Sequence, residues 1–332
     1  MKVLILKPSS LGDVIHALPV LRLLKKSHPD AEVHWWIEES LAPLLEGDPD
    51  LDALHIFRRR NWRSPLGILR ELRSVLWLRR ERYDWVIDLQ GLARSAWFGW
   101  FSRGAFTAGV DSGREGASAF YDLAVPRSSP ETHAVDWNLE VARALGMDVE
   151  QDFEWLPKAT TGAIKLSDPG VKRVAICPGA RWPNKRWPAE HFSRLVEELR
   201  ARDKGMRFVI LGSAGDAEFS RVIAKSDPDA CLDLAGKTSL PELVEWLRHA
   251  RVVVANDSGP LHIAAALNKP LVALYGPTHA GRTGPYGMPD SMMRAALPCA
   301  PCQVPTCANP VERECLRVIS PSTVADAVLA RL

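Results

Sequence analysis

Residues 1–26 read MKVLILKPSSLGDVIHALPVLRLLKK, and this stretch decides the fold. The short apolar run from Val3 to Lys7 predicts a buried strand. A turn of one proline and two serines follows, and then an amphipathic helix with apolar residues at Leu11, Val14, Ile15, Leu18 and Leu21. This places Asp13 in the first helical turn, at the carboxyl end of the strand. In an open α/β sheet, ligands bind at that edge.

Short apolar runs alternate with amphipathic stretches along the rest of the chain, which is typical of a parallel sheet covered by helices. In the first half the predicted strands are Val3 to Lys7, Glu32 to Ile37, Ala53 to Phe57, Trp85 to Leu89 and Thr107 to Val110. In the second half they are Arg173 to Cys177, Arg207 to Leu211, Cys231 to Leu234, Val252 to Ala255 and Leu271 to Tyr275. Two α/β units of similar size result.

The segment from Leu156 to Arg173 contains proline, glycine, threonine and serine without helical periodicity, which predicts an interdomain linker. We therefore expect a first domain over residues 1–160 and a second over residues 161–332. Residues 320–332 have Pro321 and Ser322 near their start and apolar residues at helical spacing. They predict a terminal helix that can pack back on the first domain.

The bulk composition limits the class of protein. At 332 residues the chain exceeds what one hydrophobic core usually serves. Its 46% hydrophobic and 25% charged residues exclude a disordered chain, and a net charge of +2 gives no signal for nucleic acid. Only four consecutive apolar residues open the chain, too few for a secretory signal, and no run of about 18 predicts a membrane helix. We therefore expect a cytoplasmic protein.

Positive charge is concentrated between Phe57 and Ala105, where there are eleven arginines but only two glutamates and two aspartates. Tryptophans are interleaved with them, at Trp62, Trp77, Trp85, Trp97 and Trp100. One interpretation is a solvated helix face with the tryptophans in the core. The other is a surface for an anionic partner or for the headgroup side of a membrane.

Two interpretations of Asp13 are open on local grounds. It follows Ser10 by three residues, so it can cap the helix, where the helix dipole favours a carboxylate. It can also take part in ligand chemistry, because it lies at the edge of the sheet where ligands bind.

The second half contains two segments suited to phosphate. In CPGARWPNKRWPAEHF, Lys185 and Arg186 follow a strand, where a cationic pair can neutralise phosphate or simply be exposed. In VVVANDSGPLHIAAAL, a buried strand runs into a turn and an apolar helix, so free backbone N–H groups point to the ligand edge. His262 faces either that site or the core. Asp216 follows another strand and can accept hydrogen bonds from a ribose.

Together these segments resemble the heptosyltransferases of lipopolysaccharide core synthesis, the ADP-heptose glycosyltransferases of family nine. The matching segments, in the family's order, are KPSSLGDVIHALPVL, YDWVIDLQGLARSA, CPGARWPNKRWPAEHF, NDSGPLHIAAAL and LYGPT. RRRNWR from Arg58 and HAVDWN from His133 resemble heptosyltransferase I more than II. The resemblance implies a GT-B architecture: two facing Rossmann-like domains with parallel sheets and an interdomain cleft. It also implies an inverting transfer that needs no metal and no cofactor.

The resemblance implies roles for individual residues. Asp13 matches the catalytic base, and Lys185 matches a lysine that contacts the diphosphate. The implied nucleotide-binding positions are Ala180, Arg181, Lys185, Asp216, Asp257, Ser258, Gly259, Leu261 and His262. The implied acceptor-binding positions are Ser10, Gly12, Arg60, Arg63, Gln90 and Arg114. The implied partners are an ADP-sugar donor and an anionic Kdo-lipid acceptor, with peripheral contact at the inner face of the inner membrane.

The resemblance is incomplete at Ala180 and Arg181, where the family's first transferase often has two hydroxyl side chains. Three alternatives remain at this point. The first is an enzyme of the same family with another donor sugar or acceptor. The second is a sugar-nucleotide epimerase or hydrolase on the same scaffold. The third is a non-catalytic module that binds nucleotide or anionic lipid.

Four of the six cysteines lie close together, at Cys299, Cys302, Cys307 and Cys315. A pair two residues apart followed by two more can bind zinc in a closed structural site. The later spacing, four and then seven residues, is irregular for a zinc ribbon, and a reducing cytoplasm disfavours disulfides. We therefore expect ordinary loop thiols and assign no metal site.

Overall fold

The computed structural model describes residues 1–58, 66–67, 75–156, 164 and 171–332. The chain divides into two compact units, Met1–Ala159 and Thr160–Leu332. The predicted linker lies almost entirely outside the described residues, and the predicted boundary at residue 160 lies beside this division.

In the described part of the first unit, six strands form one parallel sheet in the order β3-β2-β1-β4-β5-β6. The strands are β1 (Lys2–Leu6), β2 (Glu32–Glu38), β3 (Ala53–Phe57), β4 (Trp85–Asp88), β5 (Phe106–Asp111) and β6 (Leu123–Pro126). The helices with full bounds are α1 (Leu11–Ser27), α2 (Ala93–Ser102) and α3 (Ala134–Ala144).

The described part of the second unit repeats this plan, with six parallel strands in the order β12-β11-β10-β7-β8-β9. The strands are β7 (Arg173–Cys177), β8 (Arg207–Ile210), β9 (Cys231–Asp233), β10 (Val252–Asn256), β11 (Leu271–Tyr275) and β12 (Met292–Arg294). The helices are α4 (Ala189–Arg202), α5 (Ala217–Ala224), α6 (Leu240–His249), α7 (Gly259–Ala266), α8 (Ala280–Thr283), α9 (Glu314–Arg317) and α10 (Pro321–Leu329).

The central strands of each sheet are buried on both faces, because their side chains are apolar on both sides of the sheet. Val3, Leu4, Ile5 and Leu6 of β1 are all 0% exposed, as are Val252 to Ala255 of β10. Such continuous apolar strands occur where helices cover both faces of a parallel sheet. In both units the strand order reverses between the first and fourth strands of the unit, β1 and β4 or β7 and β10. This switch point is where α/β sheets open a crevice for ligands.

All ten predicted strands are confirmed, with each end within a single residue of the observed one. Two edge strands, β6 and β12, were not predicted. The terminal helix α10 packs on the core of the second unit. Its apolar residues Val324, Ala325 and Val328 are buried in the second unit's core.

No helix in the described part of the chain combines the length and the apolar character needed to cross a membrane.

Candidate functional site

Asp13 lies in the first turn of α1, directly after β1, and is half-buried. The backbone N–H and the Oγ of Ser10 both donate to its Oδ2, at 2.9 and 2.7 Å. Asp13 therefore caps the helix as the local interpretation predicted. The same two bonds orient its carboxylate at the switch point of the first sheet.

A buried lysine that the sequence reasoning did not single out lies near Asp13. Lys7 is 7% exposed, and its ammonium donates to the carbonyl of Leu89 at 2.5 Å. Burial lowers the pKa of Lys7, while the negative charges of Asp13 and Asp88 act in the opposite direction. The first switch point, between β1 and β4, therefore holds one buried amine, that of Lys7, and two carboxyl groups. Asp13 lies in the first turn of α1, and Asp88 lies at the end of β4.

Asp88, at the end of β4, shapes the adjoining loop from a fully buried position. Its Oδ1 accepts the backbone N–H groups of Gln90 at 2.8 Å and Gly91 at 3.2 Å, and its Oδ2 accepts the Tyr121 hydroxyl at 2.8 Å. Burial raises the pKa of Asp88, and these hydrogen bonds oppose the rise. Asp88 therefore fixes the backbone that carries Gln90.

Gln90 lines a small pocket at this edge together with Pro8, Ser9, Trp36, Phe57 and Arg94. Its buried Oε1 receives no hydrogen bond from any described residue. A buried acceptor without a donor is costly, so a ligand hydroxyl bound here would satisfy it. This supports the predicted placement of Gln90 beside an acceptor.

The other predicted acceptor residues are distributed unevenly. Ser10 is exposed and Gly12 is buried in the first turn of α1. Arg114 is exposed in the turn after β5, where its N–H donates to the Ser112 Oγ at 3.2 Å. The Ser112 hydroxyl donates to the carbonyl of Gly91 at 2.6 Å, so the Arg114 turn is tied to the Gln90 loop. Arg60 and Arg63 lie outside the described residues.

In the second unit, Asp257 lies at the centre of a polar cluster just after β10. Its Oδ2 accepts the Lys185 ammonium at 2.7 Å and the Thr278 hydroxyl at 2.6 Å. Its Oδ1 accepts the Tyr275 hydroxyl at 3.4 Å and lies 3.9 Å from the His262 Nε2. The predicted residues Lys185, Asp257 and His262 are therefore brought together, with His262 buried beside the carboxylate.

Lys185 ends a short 3-10 turn, Pro183–Lys185, in the loop after β7. Its ammonium lies 4.6 Å from the centre of the Trp182 ring, and its side chain is 17% exposed. The side chain of Asn256 bridges this loop to the end of β10, accepting from the Trp187 N–H at 3.1 Å and donating to the Pro178 carbonyl at 2.7 Å. Sequence reasoning gave Asn256 no such role, since only folding makes the two segments neighbours.

The start of α7 presents backbone donors at the same edge. Ser258 precedes the helix in an extended conformation, and its hydroxyl donates to the Asn256 carbonyl at 3.1 Å. Its side chain thus leaves the first helical N–H groups uncapped, and such groups attract anions. Gly259 begins the helix, whereas Leu261 is fully buried, so its side chain belongs to the core.

The loop after β7 also positions the remaining predicted nucleotide residues. Arg181 is exposed, and the Ala180 carbonyl accepts the Arg186 Nε at 2.9 Å. The guanidinium of Arg186 also pairs with the Oδ1 of Asp216 at 3.3 Å.

Asp216 is buried and extensively bonded. Its Oδ2 accepts the Ser213 N–H at 3.0 Å and the Ser213 Oγ at 2.6 Å. A Cβ on Gly179 would lie 2.5 Å from this Oδ2, so the close approach requires glycine there. The predicted ribose contact would compete with these bonds.

A cavity of about 530 Å³ lies beside the Asp257 cluster, bounded by Tyr275, Gly276, Thr278, His279, Arg294 and Pro298. This volume is within the range of small-molecule and cofactor sites. Tyr275 and Thr278 belong to the segment LYGPT, and the sequence alone predicts no role for either side chain. Their hydroxyls reach Asp257 only because β11 lies next to β10.

One group among the described residues has three ligand atoms within 4.8 Å of one another: Glu32, His34 and Glu81. It lies at the amino ends of the strands, away from Asp13. Lys2 already pairs with Glu32 at 2.9 Å and with Glu81, which supplies the positive charge that a metal ion would bring.

Known proteins resemble this chain over most of its length. The profile of glycosyltransferase family 9 (heptosyltransferase) matches residues 72–311. Lipopolysaccharide heptosyltransferase 1 of Pseudomonas aeruginosa is 34% identical, over 95% of this chain and 90% of that protein. Lipooligosaccharide heptosyltransferase 2 of Haemophilus influenzae is 30% identical, over 89% and 88%. The structure of E. coli heptosyltransferase WaaC with ADP matches with a TM-score of 0.81 at 27% identity and covers 100% of both chains.

Proposed function

Since the chain belongs to glycosyltransferase family 9, the heptosyltransferase family, we propose that it moves heptose from ADP-L-glycero-D-manno-heptose to Kdo-lipid A. The chain is a glycosyltransferase that transfers heptose in lipopolysaccharide synthesis. The proposal adds the acceptor, an inverting displacement, independence of metal ions, and a role for each residue.

The observation that carries the proposed mechanism is the oriented carboxylate of Asp13 at the first switch point. A sugar hydroxyl is a poor nucleophile at neutral pH. A carboxylate within hydrogen-bond reach removes its proton as the bond to the anomeric carbon forms. Attack from the face opposite the leaving ADP inverts the anomeric configuration. Lys7 lies close enough to Asp13 for the two side chains to interact electrostatically.

The leaving ADP gains negative charge, which the second unit is equipped to stabilise. The Lys185 ammonium donates to the Asp257 carboxylate at 2.7 Å. This bond positions the ammonium before the diphosphate binds. The uncapped N–H groups of α7 add fixed positive dipoles. These groups act without a divalent ion, since preorganised donors serve the same purpose. WaaC has been solved with ADP and with ADP-2-deoxy-2-fluoro heptose, which supports an ADP-sugar donor here.

A donor and acceptor assay tests the reaction. The protein should release ADP from ADP-heptose only when Kdo-lipid A is present, with the rate unchanged in EDTA. NMR of the product should show an anomeric configuration opposite to that of the donor. ADP-, UDP- and GDP-linked sugars serve as the comparison panel. A new sugar nucleotide formed without acceptor would support an epimerase instead, and ADP binding without turnover would support a binding module.

The arginine-rich region is proposed to contact the anionic acceptor membrane. Trp77 and Trp100 are 45% and 58% exposed, and Arg94 and Arg103 are exposed as well. Exposed aromatic rings among arginines suit a headgroup layer. Binding to anionic vesicles should fall steeply as salt rises, because the Debye length shortens from about 30 Å at 0.01 M to about 8 Å at 0.15 M. Neutral vesicles are the control, and equal binding to both at all salt concentrations would contradict this contact. The protein would then act from the cytoplasm without charge-driven membrane contact.

A further inference from the structure

The small pocket beside Gln90 in the first unit contains a buried hydrogen-bond acceptor that no described residue satisfies. The pocket has a volume of about 90 Å³. We call it the Gln90 pocket, and its walls include Pro8, Ser9, Trp36, Phe57, Gln90 and Arg94. The acceptor is the Oε1 of Gln90. Since a buried acceptor without a donor is costly, the pocket favours a bound group that donates a hydrogen bond.

The backbone that carries Gln90 is fixed from two sides. The Oδ1 of Asp88 accepts the N–H groups of Gln90 and Gly91 at 2.8 and 3.2 Å. The Ser112 hydroxyl donates to the Gly91 carbonyl at 2.6 Å. Gly91 has a φ of +66°, and a Cβ on it would lie 2.7 Å from the Cγ2 of Val110, so the loop passes close against β5. The acceptor of Gln90 is therefore set in place before any ligand binds.

The size of the Gln90 pocket limits what can enter it. Pockets for whole small molecules measure about 300–1,000 Å³. At about 90 Å³, the Gln90 pocket takes only a short arm of a larger ligand. Trp36 and Phe57 close its apolar side, with exposures of 3% and 4% and ring centres 5.0 Å apart. The carbon atoms of such an arm can pack against these rings.

The polar groups of the pocket select a neutral hydroxyl. The Gln90 Oε1 is an acceptor, and an ionised carboxylate or phosphate offers it no donor. Arg94 is exposed at the edge of the pocket, where its charge repels an ammonium group. A hydroxyl donates a hydrogen bond without carrying charge. A short hydroxylated carbon chain therefore fits the Gln90 pocket.

The pocket lies beside the proposed base. Pro8 and Ser9 follow β1, and Gln90 follows β4, so these walls belong to the first switch point. The residue after Ser9 is Ser10, whose hydroxyl donates to the Asp13 Oδ2 at 2.7 Å. A sugar with one arm in the pocket therefore has its ring close to the Asp13 carboxylate, and such positioning lowers the barrier to reaction.

We propose that the Gln90 pocket binds the exocyclic dihydroxyethyl arm of the acceptor sugar, with the Gln90 Oε1 accepting a hydrogen bond from an arm hydroxyl. The inference rests on the proposed function, since the Kdo sugar of that acceptor carries such a two-carbon arm. The bound arm orients the ring, so that one ring hydroxyl faces Asp13. Gln90 thus determines acceptor specificity and takes no part in the proton transfer.

Changing the substrate and the enzyme together tests this contact. The acceptor is compared with a synthetic analogue whose arm is ethyl, with both arm hydroxyls replaced by hydrogen. The analogue should lower kcat/KM of the wild type about tenfold, the usual cost of one hydrogen bond. Gln90→Met should lose a similar factor on the natural acceptor and then treat both acceptors alike, within about twofold. An equal fall in the wild type and Gln90→Met would overturn the contact.

Two controls separate this contact from general damage and from the donor. Gln303→Met changes an exposed glutamine of the second unit and should discriminate between the acceptors as the wild type does. ADP affinity and melting temperature should be unchanged in Gln90→Met. ADP-mannose, whose sugar has one carbon fewer in its own arm, tests the donor. If Gln90→Met alters the preference for ADP-heptose over ADP-mannose and not the preference between acceptors, the pocket holds the donor's arm and the proposal is wrong.

A binding measurement decides the pocket without turnover. In saturation-transfer NMR with a soluble acceptor saccharide, the arm protons should receive the largest share of saturation from the wild type, because Trp36 and Phe57 enclose them. Gln90→Met should reduce that share. A uniform distribution over the saccharide in the wild type would overturn the pocket. Absence of heptose transfer by the wild type would instead overturn the proposed function, so the two failures are distinguishable.

Discussion

The two switch points of this chain share one backbone plan but hold different chemistry. Each sheet reverses its strand order between the first and fourth strands, and each crevice combines a lysine with a carboxylate from the fourth strand's end. Lys7 is buried and bonds to a backbone carbonyl. Lys185 remains partly exposed and pairs with Asp257. The two lysines therefore differ in depth: Lys7 is enclosed beside the proposed base, whereas a ligand can reach Lys185.

A second comparison concerns two capping carboxylates with the same local geometry. Asp13 and Asp216 each accept the N–H and the hydroxyl of a serine three residues earlier. Asp216 is also paired with Arg186 and is only 6% exposed. Asp13 is half-buried at the first switch point. The capping motif alone therefore does not identify the proposed base, and the assignment of Asp13 depends on its position at the first switch point.

The largest effect is expected from Asp13→Asn. The amide keeps the size of the side chain and can accept the Ser10 bonds, but it cannot take a proton. We expect kcat to fall about 10²- to 10⁴-fold, the range for loss of a general base. Steady-state ADP release measures this, with circular dichroism to confirm the fold. Normal turnover would remove Asp13 from the mechanism and leave only its capping role.

The next effect is expected from Lys185→Gln. Loss of a hydrogen bond to a charged group costs about 1.5–3 kcal/mol, which corresponds to roughly 10- to 150-fold weaker ADP binding by calorimetry. Lys172→Gln is the matched control, because Lys172 lies just before the amino end of the same strand and pairs with Asp203. An equal loss in both variants would show that general charge, and not the second crevice, binds ADP.

Acid should weaken the first unit through a buried trio, His34, His55 and Tyr83, whose polar atoms lie 2.9 Å apart. Burial lowers the pKa of His55 from 6.5 to about 3. The folded protein therefore favours the neutral form of His55. The stability that this preference contributes is complete above pH 6.5 and is lost as the pH falls toward 3. At pH 5 the linkage amounts to about 2 kcal/mol.

Hydrogen exchange read separately for each unit at pH 7 and pH 5 measures this loss. His55→Gln, which cannot titrate, should be less stable at pH 7 but should show a smaller fall between the two pH values. An equal fall in the variant and the wild type would assign the acid sensitivity to other groups.

The smallest effects separate the two capping serines. Ser10→Ala and Ser213→Ala should each cost about 1 kcal/mol of unfolding free energy, the usual cost of losing a helix cap. Only Ser10→Ala should also lower kcat, because its hydroxyl orients the Asp13 carboxylate. Denaturant unfolding and initial rates give the two quantities. Equal kcat in both variants would mean that the carboxylate needs no orientation by this serine.

Much of the fold was predictable because continuous apolar strands such as Val252 to Ala255 leave a strong sequence signal. The edge strand Met292–Arg294 left none, since two methionines and an arginine give neither a continuous apolar run nor an alternation. In the candidate site, the positions of Asp13 and Lys185 just after a strand were predictable from their motifs. The roles of Lys7, Asp88 and Thr278 depend on contacts between distant strands, which a single sequence does not display.

The most direct test of this division between the crevices is ADP affinity in the Asp13→Asn protein. Calorimetry should give the same dissociation constant as the wild type, within about twofold, although heptose transfer is lost. This result would place base and diphosphate functions in separate units. A large loss of ADP affinity in Asp13→Asn would contradict the account, because Asp13 would then act in donor binding rather than as the base that activates the acceptor.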